Sequence, residues 1–176
     1  MRCWQKLWSS ASQCLKTDSK GLIKNIAGII IFVIFYIVFI HTVGYPSINL
    51  SNSLPGKLYW TFPHPDGLKQ GDTVVFRFKG SKYFPHGAIF IKKVACIPRQ
   101  RLKLAEKNRC FTCNGRPIGC AKERDRKGNP APLFKWNGII PPGKYFVVGT
   151  SRDSYDSKYW GFVDKTAIIG KAYRIF

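Results

Sequence analysis

Hydrophobic and polar positions along this chain of 176 residues follow two different patterns. From Ile26 to Val43 it reads I-A-G-I-I-I-F-V-I-F-Y-I-V-F-I-H-T-V, apolar but for Tyr36, His41 and Thr42. At a rise of about 1.5 Å per residue, some 18 to 20 such residues cross the roughly 30 Å hydrocarbon core of a bilayer. The pattern predicts a transmembrane helix over residues 25–44. The run exceeds the roughly 7–15 residues of a cleaved signal peptide's apolar core, and no A-x-A-like site follows it. A retained anchor is therefore expected. Beyond it the apolar residues come in short runs rich in Val, Ile, Phe and Tyr, bounded by Gly, Pro, Asn and Asp. Strands are expected at Lys57–Phe62, Thr73–Phe78, Ile89–Cys96, Arg101–Leu104, Cys110–Asn114, Tyr145–Gly149 and Ala167–Ile175. No long 3.6-residue apolar period occurs there. The expectation is an all-β domain over 45–176, in which 99–140 is a variable hairpin and loop region. Lys122–Trp136, charged and punctuated by proline, reads as a surface excursion.

Charge orients this plan. Residues 1–24 carry Arg2, Lys6, Lys16, Lys20 and Lys24 against Asp18, so the positive-inside rule keeps that segment cytoplasmic and exports the rest. The implied location is a bacterial inner membrane, with the β domain in the periplasm. Sixteen of the twenty net positive charges then belong to the exported part. Anionic lipid headgroups are the nearer partner for that field. No basic helix or stacking-aromatic module points to nucleic acid.

Six cysteines divide by compartment. Cys3 and Cys14 are expected to be cytoplasmic and reduced, whereas Cys96, Cys110, Cys113 and Cys120 are exported, where disulfides persist. Asn114-Gly115 is a hairpin turn signal that sets Cys110 and Cys120 nearly opposite on paired strands. A structural disulfide among Cys110, Cys113 and Cys120 is the favoured reading, with the pairing open. A C-x-x-C redox pair or a zinc site are the alternatives. The first would need a helix N-terminus and the second a fourth ligand at suitable spacing. No metal or cofactor is expected.

Candidate chemistry lies in three places. Ser53, in Leu50-Ser51-Asn52-Ser53-Leu54-Pro55-Gly56, is kept out of a helix by Pro55, leaving its hydroxyl presentable and its backbone N–H free to bind a carbonyl oxygen. His41, His64 and His86 are poor candidates for its base, the last two lying in proline turns. Lys92 is stronger: alternation along Ile89–Cys96 puts Phe90, Lys92 and Val94 on one face and Ile91, Lys93 and Ala95 on the other. At least one lysine therefore shares a face with apolar residues, where burial lowers an amine's pKa. The third place is Gly149–Gly161, G-T-S-R-D-S-Y-D-S-K-Y-W-G, whose paired charges suit a buried polar scaffold.

Together these segments resemble, in order and relative position, the boxes of type I signal peptidases. Ser51-x-Ser53-Leu54-Pro55 resembles the nucleophile box, and Gly71-Asp72-Thr-Val-Val-Phe the strand after it. Phe90-Ile-Lys92-Lys93-Val-Ala-Cys-Ile-Pro98 resembles the base box, and Gly149–Gly161 the terminal box. The short Ser53-Leu54-Pro55 spacing and the small domain look most like the TraF branch of conjugative transfer peptidases, though Gly56 is shifted from that branch's pattern. Pro98-Arg99-Gln100 replaces the usual Pro-Gly-Asp, so that turn is expected to differ, and Lys158 replaces an arginine.

The resemblance implies a Ser–Lys endopeptidase. Ser53 would be the nucleophile and Lys92 the general base. Ser51 and the Ser53 N–H would form the oxyanion hole, and Ser154 or Ser151 would orient the amine. Arg152, Asp153, Asp156 and Lys158 would be structural supports. It implies a membrane-borne precursor as substrate, a pilin subunit in the TraF reading (with cyclisation in some members), and conjugation or type IV secretion components as partners. A housekeeping signal peptidase is the alternative within this class. A non-catalytic membrane-anchored β-domain in pilus or secretion assembly is the alternative outside it.

Overall fold

The fold is that of a computed structural model, which describes the backbone of residues 2–176 and the side chains from residue 21 onward. The expectation for Cys3 and Cys14, and those for the side chains of Arg2, Lys6, Lys16, Asp18 and Lys20, lie outside the described side chains. The chain divides into two compact units, Met1–Val43 and Gly44–Phe176.

The first unit is one α-helix, α1, Arg2–Thr42. Within it Gly21–Thr42 is long and apolar enough to cross a membrane, and none of that stretch is buried in protein. The basic segment is thus helical too, continuous with the apolar run.

The second unit is built on antiparallel sheet. β1 (Tyr45–Ile48), β2 (Leu58–Pro63), β3 (Thr73–Arg77), β4 (Ile89–Cys96), β9 (Lys144–Val148), β10 (Val163–Asp164) and β11 (Ile168–Arg174) form one sheet. Its strand order is β1-β2-β11-β3-β4-β9-β10. A smaller sheet, ordered β7-β6-β5-β8, contains β5 (Arg101–Ala105), β6 (Cys110–Cys113), β7 (Arg116–Cys120) and β8 (Gly138–Ile139). The strands expected from alternation are all present. Those not expected are short or edge strands: β1, β8 and β10, and β7, whose Pro117 and Gly119 weaken the strand signal.

Burial follows the alternation. Val74, Phe76, Val94 and Val147 fill one side of the main sheet. Leu54, Tyr59, Val75 and Ala172 form a second cluster beneath the Ser53 loop. Leu102, Phe111, Ile140 and Phe146 belong to a third, between the sheets. Asn114 (φ 48) and Gly115 (φ 82) make the turn between β6 and β7, the double positive-φ geometry of a tight hairpin. Cys110 lies opposite Cys120 and the two are bonded, while Cys96 of β4 is bonded to Cys113 of β6. The pairing therefore uses Cys96, and Cys110 and Cys113 belong to different bonds, so they form no C-x-x-C pair. In the Pro98-Arg99-Gln100 turn Arg99 takes φ 68, a conformation that glycine would adopt at less cost.

Candidate active site

Two loops and one strand supply the site. The loop between β1 and β2 carries Ser53, which is 6% exposed although Ser51 and Asn52 beside it are open to solvent. Asn49 holds the loop in shape. Its Oδ1 accepts from Ser51 N–H and Ser51 Oγ–H at 3.2 and 2.9 Å, and its Nδ2 donates to the Leu54 and Gly56 carbonyls, both at 3.2 Å. Leu54 anchors the loop in the core, the Tyr59 hydroxyl donates to the Pro55 carbonyl, and Gly56 (φ 86) turns the chain into β2. Ser51 Oγ lies 2.7 Å from Ser53 Oγ. The Ser53 N–H is not free as expected: it points at Ser51 Oγ, at a long 3.4 Å.

Strand β4 carries Lys92. Lys92 pairs in register with Val74 and is 5% exposed, whereas Lys93 faces solvent. Its Nζ sits 5.6 Å from the centre of the Phe90 ring. Burial pushes the amine down to about 8 from its ordinary value near 10.5, against the pull of Asp156 and with a smaller push from Lys158.

The segment after β9 joins the two. Lys93 pairs with Val148 at the end of that ladder, so alternation turns Lys92 and Gly149, the next residue of each chain, toward one face. A Cβ on Gly149 would run into Ser154 Oγ and lie 2.7 Å from the Ser53 carbonyl oxygen. Ser53, Lys92 and Ser154 therefore gather on one side of the sheet, and glycine leaves the space between them. The Ser53 carbonyl accepts from Thr150 N–H at 2.8 Å and from Ser151 N–H at 3.3 Å. Gly149 N–H donates to Asp156 Oδ2 at 2.9 Å, and the Val147 N–H donates to Ser157 Oγ at 2.9 Å. Asp156 caps a short helix, α2 (Ser157–Trp160), and its Oδ2 accepts from Lys158 Nζ at 2.7 Å, a pair almost wholly buried.

Only part of Gly149–Gly161 is the buried scaffold the sequence suggested. Ser154, Asp156, Ser157 and Lys158 are buried. Arg152 and Asp153 are at the surface, where Asp153 pairs with Lys122 and Arg126, and Arg152 makes no ion pair or hydrogen bond among the described residues. They do not lock the strand beside Lys92, because a turn at Ser151–Asp153 lifts them into solvent. Ser154 and Ser151 also separate. Ser154 Oγ is buried beside Gly149 with no hydrogen-bond partner among the described residues. Ser151 Oγ instead accepts from Asp153 N–H at 3.2 Å. Sequence reasoning missed Asn49 as the residue that staples the loop; its one signal was a polar residue between Ile48 and Leu50.

Ser53 and Lys92, both largely buried, thus lie toward one side of a small antiparallel β domain, a hydroxyl and an amine of lowered pKa of the kinds that can serve nucleophilic attack on a carbonyl. The family model for signal peptidases, peptidase S26, matches residues 19–176, and the chain belongs to that family.

Among curated proteins it is 30% identical to the conjugal transfer protein TraF of Agrobacterium fabrum, over 51% of this chain and 49% of that one. It is 48% identical to a signal peptidase I of Buchnera aphidicola subsp. Acyrthosiphon pisum, over 26% of this chain and 14% of the other. To a probable signal peptidase I-2 of Synechocystis it is 29% identical, over 60% and 46% respectively. The matched regions thus span about half or less of those relatives' length. Among solved structures, a signal peptidase I of Enterococcus faecalis V583 aligns with TM-score 0.41 and 20% identity, covering 61% of this chain and 98% of that one.

Proposed function

We propose that this protein is a membrane-anchored serine endopeptidase that removes the leader of an exported precursor, with Ser53 as nucleophile and Lys92 as general base. The observation that carries the reading is the convergence at Gly149: a Cβ there would meet both Ser154 and the Ser53 carbonyl, on the face that Lys92 shares. Neutral Lys92 takes the Ser53 Oγ proton as Oγ attacks the scissile carbonyl. The resulting ammonium returns a proton to the departing amine, leaving an acyl-enzyme. Lys92, neutral again, then activates water to release the acyl group. Ser51 Oγ–H, which now donates to Asn49 Oδ1, and Ser53 N–H, which now points at Ser51 Oγ, are redirected to receive the developing oxyanion of a bound carbonyl. Ser154 Oγ, without a partner, is available to orient the amine. Asp156 and Lys158 support that strand end from within the core.

The apolar helix suits a substrate that is itself held in the membrane, with the β domain exported. The similarity to TraF favours a conjugative pilin subunit as the precursor, and conjugation or type IV secretion components as partners. The test is cleavage of a pilin precursor and of a general secretory precursor by the full-length protein, Ser53→Ala and Lys92→Ala. Both variants are expected to lose activity by about 10³-fold or more. Shortening that persists in either one contradicts the assignment. Efficient cleavage of the secretory precursor alone favours a housekeeping role.

A further inference from the structure

Lys57 stands one residue past the Gly56 turn, exposed, in the wall of a groove of about 400 Å³ that flanks Ser53. The remaining polar wall is Ser51, Asn52, Thr150 and Ser151, and the Leu54–Gly56 turn supplies the apolar part. No acidic residue lines the groove, and Lys57 Nζ has no ion pair or hydrogen bond among the described residues. The acids of this unit are mostly spent elsewhere: Asp66, Asp72, Glu106, Asp153, Asp156 and Asp164 each hold an ion pair away from the groove.

The position of Lys57 is also fixed. Its N–H donates to the Phe176 carbonyl at 3.1 Å, and its own carbonyl accepts from Asn49 N–H at 2.7 Å. Asn49 is the residue that shapes the Ser51–Gly56 loop, so Lys57 and Ser53 belong to one hydrogen-bonded unit. A lysine side chain reaches about 6 Å, or roughly two steps of an extended peptide at about 3.3 Å each.

We propose that this groove is a charge-reading subsite, in which Lys57 Nζ pairs with an acidic side chain of the substrate within three residues of the scissile bond. The proposal rests on Ser53 being the point of attack. An uncompensated cation among hydroxyl and amide groups favours a carboxylate and repels a basic side chain. The pair forms equally before and during reaction, so its effect falls on KM and leaves kcat unchanged.

The test uses peptides spanning a precursor cleavage region, with Glu, Gln or Lys placed singly at each of the three positions on either side of the scissile bond. They are given to the full-length protein, Lys57→Ala and Lys57→Glu. At one or two adjacent positions Glu is expected to lower KM about fivefold relative to Gln, an advantage that shrinks with added salt. Lys57→Ala abolishes the advantage and Lys57→Glu reverses it toward Lys-bearing peptides, with kcat for the Gln peptides unchanged. Absence of a Glu preference at every position, or its survival in Lys57→Ala, overturns the subsite. The same panel is also bound to Ser53→Ala and to Ser53→Ala/Lys57→Ala by fluorescence anisotropy. If the wild type cleaves no peptide, the peptidase reading fails, and the anisotropy comparison still decides the subsite by the same criteria.

Discussion

Lys92 sits among core residues, in register with Val74 and with its Nζ 5.6 Å from the Phe90 ring centre, and no acid among the described residues hydrogen-bonds its amine. Burial costs the ammonium more than the amine, which is why the group titrates at about 8. Two pH effects follow, with fixed signs. The rate of acylation should rise with pH through a limb near 8, measured as kcat/KM on a peptide between pH 6 and 10, because in the proposed mechanism the neutral amine is the base. Stability should move the same way. Below pH 8 both folded and unfolded chains carry the proton, and the burial penalty is fully present. Between about 8 and 10.5 only the unfolded chain keeps it, so the folded state gains as pH rises. Lys92→Met should therefore be more stable than wild type at pH 7, by on the order of 1–3 kcal/mol, with the difference closing toward pH 10 in denaturant titrations. Gly149 makes a complementary case. No left-handed backbone demands glycine there; the demand is space, since a methyl group would enter the volume of Ser154 Oγ and press on the Ser53 carbonyl. Gly149→Ala should depress kcat by about 10²-fold or more, because displacements near 1 Å matter at a reacting centre. Its Tm should fall less than that of a large-to-small core substitution such as Phe146→Ala.

At the scale of elements, what the sequence made legible was what local pattern determines. Alternation in Ile89–Cys96 identified the strand and put its two lysines on opposite faces, each with apolar neighbours; which of the two is buried, Lys92, depends on what packs on each face. Asn114-Gly115 located the hairpin and set Cys110 opposite Cys120, while the pairing itself, Cys110 with Cys120, came only from the structure. The Cys96–Cys113 bond was not legible, because it joins β4 to β6 of the other sheet, a contact set by tertiary packing. The same holds for Arg152 and Asp153: charge pattern alone does not distinguish a buried ion pair from a solvated turn, and only Asp156 and Lys158 proved buried. The Asn49 staple was hidden for the same reason, as it acts through the carbonyls of Leu54 and Gly56 rather than through any motif. The two disulfides should behave differently. Cys96 and Cys113 are buried at 0% and 1% exposure, while Cys120 is open to solvent. Graded reduction followed by alkylation and mass spectrometry should open Cys110–Cys120 first, with little loss of activity. Replacing Cys96 and Cys113 by Ala should cost about 2–4 kcal/mol in stability, since that bond ties the Lys92 strand to the second sheet.

At the scale of the molecule, a 41-residue helix and a β domain with its own core divide the work. Gly21–Thr42 has the length and composition of a membrane anchor, and every group assigned to chemistry lies in Gly44–Phe176. The domain reaches its candidate site by closing distant sequence: the Ser53 loop precedes β2, the Lys92 amine is on β4, and Gly149 follows β9. That convergence is the centre of the account, and a covalent intermediate tests it most directly. The full-length protein is mixed with a precursor peptide carrying a slowly hydrolysed ester at the cleavage point, quenched in acid, digested and mapped by mass spectrometry. The account predicts an acyl group on the peptide containing Ser53, accumulating faster at pH 9 than at pH 7 and absent from Lys92→Met. An acyl group on another residue, or equal acylation of Ser53 in Lys92→Met, would contradict it.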